Sequence, residues 1–507
     1  MVAAALAALG MAYRIWATAN HYPRFDSDEA TMGLGALHIA TGDNFPIFMY
    51  GQNYMGSIES YLAAPFLAVF GVTVGALRIP EILIFGAFIT LMYLLTVRLY
   101  GSRWFASLVV ALLALGSDRV IKDELIAHGG SAEIKLFAAA LFLIALTAPK
   151  LAPPGRLLAY AGFGVLAGLA LWSHWLIIPY LFAASLLLGW AGRGAATLRH
   201  LAAAASGLLV GAAPLIAYNL GAAPGQDSLS VFLRLSGGEP VPLLDRATGA
   251  IFLGVPLASG ACEPGACGAV QRSWALLYLG LMVASALAAV RALRRSVGRK
   301  RLRPAAAALL LLAAAASIAA YARSSAAGQT PIESARYLSC LLVSTPALLW
   351  PLWSGLRGAP KARMAAVAGL AMTVAVMINA TVGAVVHAVP DARNAARDER
   401  ALLSALAAQH VAAVYSEYWT CNRISYLSSE RTICAVLDDQ LRPGFDRWLP
   451  YRRRVAEDPR PAYVFVAGSA ADRAFTAHLA RLDILSERTV VGGYHLYRPP
   501  QAVPLPL

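Results

Sequence analysis

Apolar stretches of about membrane length recur along this chain from its first residues to about residue 387, and nothing else in it constrains the fold as strongly. In hydrocarbon no water satisfies the backbone, so a spanning stretch of this kind must be helical. Crossing ~30 Å of apolar core takes about 20 residues. About eleven stretches qualify: 2–18, 78–98, 104–117, 133–148, 157–173, 175–192, 201–218, 273–292, 304–322, 338–356 and 364–387. Of the 507 residues 58% are hydrophobic and 14% charged, whereas soluble domains carry roughly 25% charged residues. The expectation is a polytopic α-helical membrane protein.

A net charge of +14 would suit a nucleic-acid binder, but the distribution of charge excludes that reading. Arg98 and Arg103, Lys150 and Arg156, Arg193 and Arg199, the run from Arg291 to Arg303, and Arg357, Lys361 and Arg363 occupy alternate turns. None of these five turns holds an acid. The positive-inside rule puts them in the cytoplasm together with the N-terminus. Residues 19–77, 118–130 and 219–272, and everything after about 389, then lie outside. The first span carries Arg14 and has no basic region before it, so it reads as a helix and not as a signal peptide.

Cysteine placement agrees with this topology. Cys262 and Cys267 share one external segment and Cys421 and Cys434 another, so both pairs are expected as disulfides in an oxidising compartment. Cys340 falls inside a span as a small buried residue. Neither pair has zinc-site spacing.

The first external segment, 19–77, holds the acidic cluster Asp26, Ser27, Asp28, Glu29. Ionisable groups beside a span are costly and mark functional sites. A helix is expected over Glu29–Ala40, a turn at Thr41–Pro46, and a second helix lying in the interface over Met55–Phe70, with Glu59 as a polar insertion. The segment 118–130 holds Asp123, Glu124 and His128. From about 389 to 507 the composition becomes that of a soluble domain. Strands at 411–415, 463–467 and 494–497 and helices at 397–409 and 471–482 predict a small external α/β domain. No Gly-rich phosphate loop occurs in it.

The order of a first span, Asp28-Glu29 opening an interfacial helix, Gly42-Asp43 to Pro46, a second interfacial helix ending at Phe70-Gly71, and Leu77-Arg78 opening the next span resembles the GT-C glycosyltransferases. Within them it is similar to the protein O-mannosyltransferases and the bacterial aminoarabinose lipid A transferases. The resemblance is strongest over 1–150, continues by topology to about 390, and is loose beyond. It implies a catalytic membrane domain at 1–388 and an outer domain at 389–507, set in the cytoplasmic membrane of a bacterial envelope. It also implies transfer of a sugar from a polyprenyl-phosphate carrier to a lipid, polysaccharide or protein acceptor.

In that family the Asp of the Asp-Glu pair is the general base, which carries over to Asp28. Asp26, Glu29, Asp123 and Glu124 are expected to support it, and Tyr50, Gln52, Tyr54, Glu59 and His128 to line the substrates. The leaving phosphate needs cations. Arg78, Arg336 and Tyr337 stand at helix ends where a carrier head group would lie, and an arginine anchoring its helix end is the alternative for each. The family's Lys near the carrier has no counterpart in Tyr50-Gly51-Gln52-Asn53-Tyr54. Whether a divalent metal assists stays open. The competing class is a transporter or flippase, which would show internal repeats and charges near the bilayer midplane; neither is evident.

The topology generates a direct expectation. A reporter active only in the cytoplasm, fused to the C-terminus, should be silent, and a reporter active only outside should work; the reverse pattern would overturn the orientation.

Overall fold

The computed structural model describes residues 1–193, 197–236 and 241–506. Seven helices are long and apolar enough to cross a membrane: Val2–Ala19 (α1), Val74–Tyr100, Pro153–Ser173, Ala269–Arg295, Gly298–Arg323, Pro331–Gly355 and Pro360–Ala408. Two bent pairs, Arg103–Ala114 with Asp118–Leu125 and Leu198–Gly211 with Ala213–Gly221, raise the number to nine among the described residues. The chain is a multi-pass membrane protein. The expected spans at 133–148 and 175–192 are helical but short: Glu133–Thr147 has 15 residues, and Trp175–Ala191 is likewise below spanning length. At ~1.5 Å per residue, 15 residues reach only about 22 Å. Both helices are packed into the bundle, where Ile134, Phe142, Tyr180 and Leu187 are fully buried.

Between α1 and the helix Val74–Tyr100 the chain forms two helices, Ser27–Thr41 (α2) and Ile58–Phe70 (α3); Val74–Tyr100 is therefore α4. Asp26 caps α2, accepting 2.9 Å from the Glu29 amide, which satisfies one of the free donors at the helix start. Gly42 ends it at φ 79, a left-handed conformation that glycine adopts without a Cβ penalty. α3 packs on α2, where Ser60 Oγ donates 2.8 Å to the Met32 carbonyl.

The helix Pro360–Ala408 runs unbroken past 389, so the change in composition there is not a break in structure. It leads into a five-stranded sheet of order β2-β1-β3-β5-β4, with β1 Ala413–Ser416, β2 Ile433–Val436, β3 Ala462–Val466, β4 Glu487–Val491 and β5 Tyr494–Arg498. β2, β1 and β3 are parallel, while β5 is antiparallel to β3 and to β4. Alternation along the strands separates two cores. Val414, Val464 and Leu496 pack with Leu402 and Leu406 on one face, and Tyr463, Phe465 and Tyr497 pack with Phe475 on the other. Cys421 is bonded to Cys434, tying the helix Tyr418–Leu427 to β2; Cys262 is bonded to Cys267, and Cys340 is buried and free.

The sheet domain is seated on α2. Ser27 Oγ donates 2.8 Å to the Tyr418 carbonyl, Asn422 Nδ2 donates 2.7 Å to Ser27 Oγ, and Tyr426 Oη donates 3.0 Å to the Thr73 carbonyl. Phe25, Ala30 and Leu34 pack against Tyr426 in one apolar cluster. A Cβ at Gly33 would fall 2.6 Å from the Tyr426 ring, so only glycine permits this approach. Gly33→Leu should strain the seat by ~1–3 kcal/mol, the usual scale of overpacking. Thermal unfolding should come earlier, and limited proteolysis should release the region after 409 faster; unchanged protection would show that the seat does not depend on Gly33.

Candidate functional site

Three carboxylates stand at the start of α2: Asp26 at its cap, and Asp28 and Glu29 in its first turn, which helical rotation sends apart. Asp26 is spent on the cap. Glu29 turns inward and takes a bidentate pair from Arg78, Nε to Oε1 and Nη2 to Oε2, both at 2.7 Å. Both side chains are fully buried, and Arg78 also donates 2.9 Å to the Pro23 carbonyl. Arg78 is thus closed off by Glu29 and does not present itself to a donor phosphate, a correction to its expected role. A guanidinium at a helix end satisfies the same sequence pattern whether it faces lipid or a buried acid.

Asp28 turns toward the sheet domain. Its Oδ1 accepts 2.7 Å from Tyr418 Oη and 2.7 Å from Arg447 Nη2, and Arg447 Nε donates 2.8 Å to the same Tyr418 oxygen. Oδ2 lies 3.8 Å from Arg336 Nη1. Arg447 leans on the rings of Phe445 and Tyr418 at 5.0 and 5.5 Å. Burial works against charge on Asp28, but Arg447, Arg336 and the Tyr418 hydroxyl outweigh it and hold the carboxyl below the usual carboxylate range. The Asp28 side chain keeps 14% exposure and that of Arg336 30%, so this pair is partly open.

Other expected residues divide into those near this pair and those elsewhere. Tyr54 feels Tyr337, Arg336, Arg447 and Asp28, although burial is the main cause that lifts its pKa to about 12. Its ring meets Phe232 edge-on at 5.3 Å and His174 at 6.2 Å. His128 is buried, with Nδ1 2.6 Å from the Ile126 carbonyl and Nε2 3.1 Å from Ser131 Oγ and 3.9 Å from Asp123. Burial and then Arg336 push its pKa down to about 4, so it is neutral at pH 7. Asp123 accepts 2.5 Å from Arg119, one turn before it. Gln52 is half-buried in the turn preceding Tyr54.

Three expectations are corrected. Glu124 faces away and pairs with the buried Arg14 of α1 at 2.6 Å. Glu59 is fully buried, and its two oxygens accept 2.7 and 3.2 Å from the amides of Gly129 and Gly130. It clamps the loop that carries His128 and does not line a substrate. The Tyr50 hydroxyl is tied to His38 at 2.6 Å and Asn44 at 2.9 Å under Trp448, which leaves its carbonyl, 3.4 Å from Arg447, as its link to the site.

Neither Tyr418 nor Arg447 was expected from sequence. They stand about 390 and 419 residues from Asp28, and the stretch between Val436 and Leu449 carries no hydropathy signal. The three acids of the cluster diverge and Asp28 faces two guanidiniums. These donors suit an anion and not a hard cation, which would need several converging oxygens. No group of three or more metal-type ligands gathers among the described residues. The two largest cavities described, of about 760 and 700 Å³, flank the C-terminal end of α1, and Asp28, Arg336 and Arg447 line neither.

No protein-family model matches the chain, and no curated protein matches it. Solved structures do. The chain is similar to ArnT from Cupriavidus metallidurans bound to undecaprenyl phosphate, with a TM-score of 0.64 at 12% identity over 98% of this chain and 97% of that one. It is also similar to the Archaeoglobus fulgidus oligosaccharyltransferase in complex with zinc and sulfate, with a TM-score of 0.50 at 14% identity over 92% of this chain and 68% of that one. Both are GT-C glycosyltransferases, and this chain has their fold.

The buried pair makes a distinct expectation. Removing one partner of such a pair leaves an uncompensated charge and costs ~3–5 kcal/mol. Arg78→Ala and Glu29→Gln should each lower thermal stability sharply, and Arg78→Met with Glu29→Leu should recover much of it. A stable Arg78→Ala with weakened donor use would restore the donor-binding role.

Proposed function

We propose that the chain is a membrane glycosyltransferase that moves a sugar from a polyprenyl-phosphate carrier to an acceptor on the outer face of the membrane, with Asp28 as general base. The observation that carries this reading is the state of Asp28 on a GT-C scaffold. One carboxylate oxygen is fixed by Tyr418 and Arg447, the other faces Arg336 at 3.8 Å, and the side chain is partly exposed.

The reaction needs two things from the protein. The acceptor oxygen attacks the anomeric carbon while its proton passes to Asp28 Oδ2. The bond from that carbon to the carrier phosphate breaks, and its electron pair leaves with the phosphate. Glycosyl transfer runs through an oxocarbenium-like state, in which the attacking hydroxyl becomes acidic as its new bond forms. A carboxylate of low pKa is therefore a sufficient base, and its low pKa keeps it ionised at neutral pH. Arg336 is the cation placed to take up charge on the leaving phosphate, at a point where charge-assisted bonds are strongest. The Tyr337 ring lies 5.8 Å from the Arg336 guanidinium and forms a wall beside it. Lipid, polysaccharide and protein all remain acceptor classes for this geometry.

Asp28→Asn preserves shape but removes the proton acceptor, so transfer from a polyprenyl-phosphate sugar should fall by roughly 10²–10⁴-fold. Asp26→Asn keeps a capping side chain and should retain most activity. Arg336→Ala should instead weaken use of the lipid-phosphate donor. Near-normal transfer by Asp28→Asn, alongside loss in Asp123→Asn, would move the base to the neighbouring segment.

A further inference from the structure

A second feature stands at the same end of the bundle and takes no part in the chemistry above. The last turn of α1, the first two turns of α4 and the helix Val389–Ala408 enclose a groove of about 700 Å³. Ile15, Ile79 and Ile82 line it from within two spans, with Ile15 54% exposed on the face a span turns to lipid, and Val72 and Val74 line it where they pack with the sheet-domain cluster of Tyr426 and Leu427. The groove also carries His21, Arg24 and Arg400. Arg24 and Arg400 are exposed. Arg393 lies about two helical turns before Arg400, beside a smaller cavity that shares Ala19, His21 and Arg400 with the groove.

The positive charge here is offset only in part: Arg24 also lines the neighbouring cavity with Asp118, Glu263 and Asp391. Glu399 is the only carboxylate lining the groove among the described residues, and Arg423 engages it at 2.8 Å. Asp391 faces the other large cavity, and Asp398 packs against Gly492. Burial and then the positive charges of Arg400, Arg78 and Arg393 depress the His21 pKa, which is the electrostatic signature of a cationic pocket. Arg24, past the end of α1, and Arg400 share one groove with isoleucines that lie inside two spans, a combination that suits a phospholipid with its anionic head at the cations and its acyl chain at the isoleucines.

We propose that this groove is a binding site for an anionic phospholipid of the surrounding leaflet, with the acyl chain against Ile15, Ile79 and Ile82 and the phosphate against Arg24 and Arg400. It is separate from the Asp28 site, so it stands or falls without reference to the transfer reaction. The lipid holds α1, α4 and the long helix together where the sheet domain leaves the bundle.

The test is native mass spectrometry of the full chain in detergent, titrated with phosphatidylglycerol and, separately, with phosphatidylcholine of the same acyl chains. Phosphatidylglycerol should be retained more tightly. Arg24→Ala with Arg400→Ala should weaken it by roughly tenfold or more, as expected from removing two surface cations. Arg24→Lys with Arg400→Lys should keep most of the binding, which separates lost charge from lost folding. Ile79→Trp, which fills the apolar part and leaves the charges, should also weaken it. Arg299→Ala with Arg301→Ala, on the basic turn between two other spans, should leave that tight site intact. Soluble glycerol 3-phosphate should not compete. Equal retention of the two lipids, undiminished binding in the double alanine or tryptophan variant, loss in the lysine variant, or displacement by glycerol 3-phosphate would each overturn the proposal.

Discussion

A helix turns about 100° per residue, so the consecutive carboxylates Asp28 and Glu29 face different ways, and Asp26, the extended N-cap, stands outside the helix. Each carboxylate therefore has a separate partner. Asp26 goes to the backbone, Glu29 to Arg78 inside the bundle, and Asp28 to Arg447 and Tyr418 of the sheet domain. The last of these contacts is the one on which the account of function depends. It makes the state of a membrane-domain carboxylate conditional on a domain whose sheet begins more than 380 residues later.

The two buried ion pairs have different consequences. Arg78–Glu29 is closed on all sides and is costly to break, so it acts as a fixed pivot between α2 and α4. Arg447–Asp28 keeps part of the Asp28 side chain exposed and has a second cation, Arg336, 3.8 Å from the other oxygen, which is the oxygen the proposed reaction uses. Glu59 belongs with the first kind: by holding the amides of Gly129 and Gly130, it sets where His128 stands without touching the reacting groups. Gly130, at φ 105, has no room for a Cβ against His174, so the loop is held by conformation as well as by that carboxylate.

Much of the fold was legible because hydrocarbon permits few solutions. All eleven apolar stretches are helical, the helices of the first segment stand close to where their turns placed them, and the strands at 413–416, 462–466 and 494–498 follow their apolar runs. β2 and β4 were missed: β2 is four residues long, and β4 is largely exposed, with no alternating pattern to mark it. In the site, residue type was legible and partnership was not. Arg78, Glu59 and Glu124 carry the right chemistry for a site, but their direction is set by Glu29, the glycine amides and Arg14, contacts made across 49, about 70 and 110 residues. Tyr418 and Arg447 gave no signal at all, since a tyrosine and an arginine in a soluble domain are ordinary until α2 is laid against them.

The central claim is that Asp28 acts as an ionised base whose pKa is held down by Arg447. The most direct measurement is the pH dependence of kcat/KM for sugar transfer in the parent chain and in Arg447→Gln. Burial alone raises the Asp28 pKa, and Arg447 is the largest of the opposing influences. Removing it should move the acid limb of the profile to higher pH, with the plateau approached only as pH rises. An acid limb that stays where it is in Arg447→Gln, while the plateau falls uniformly, would contradict the account.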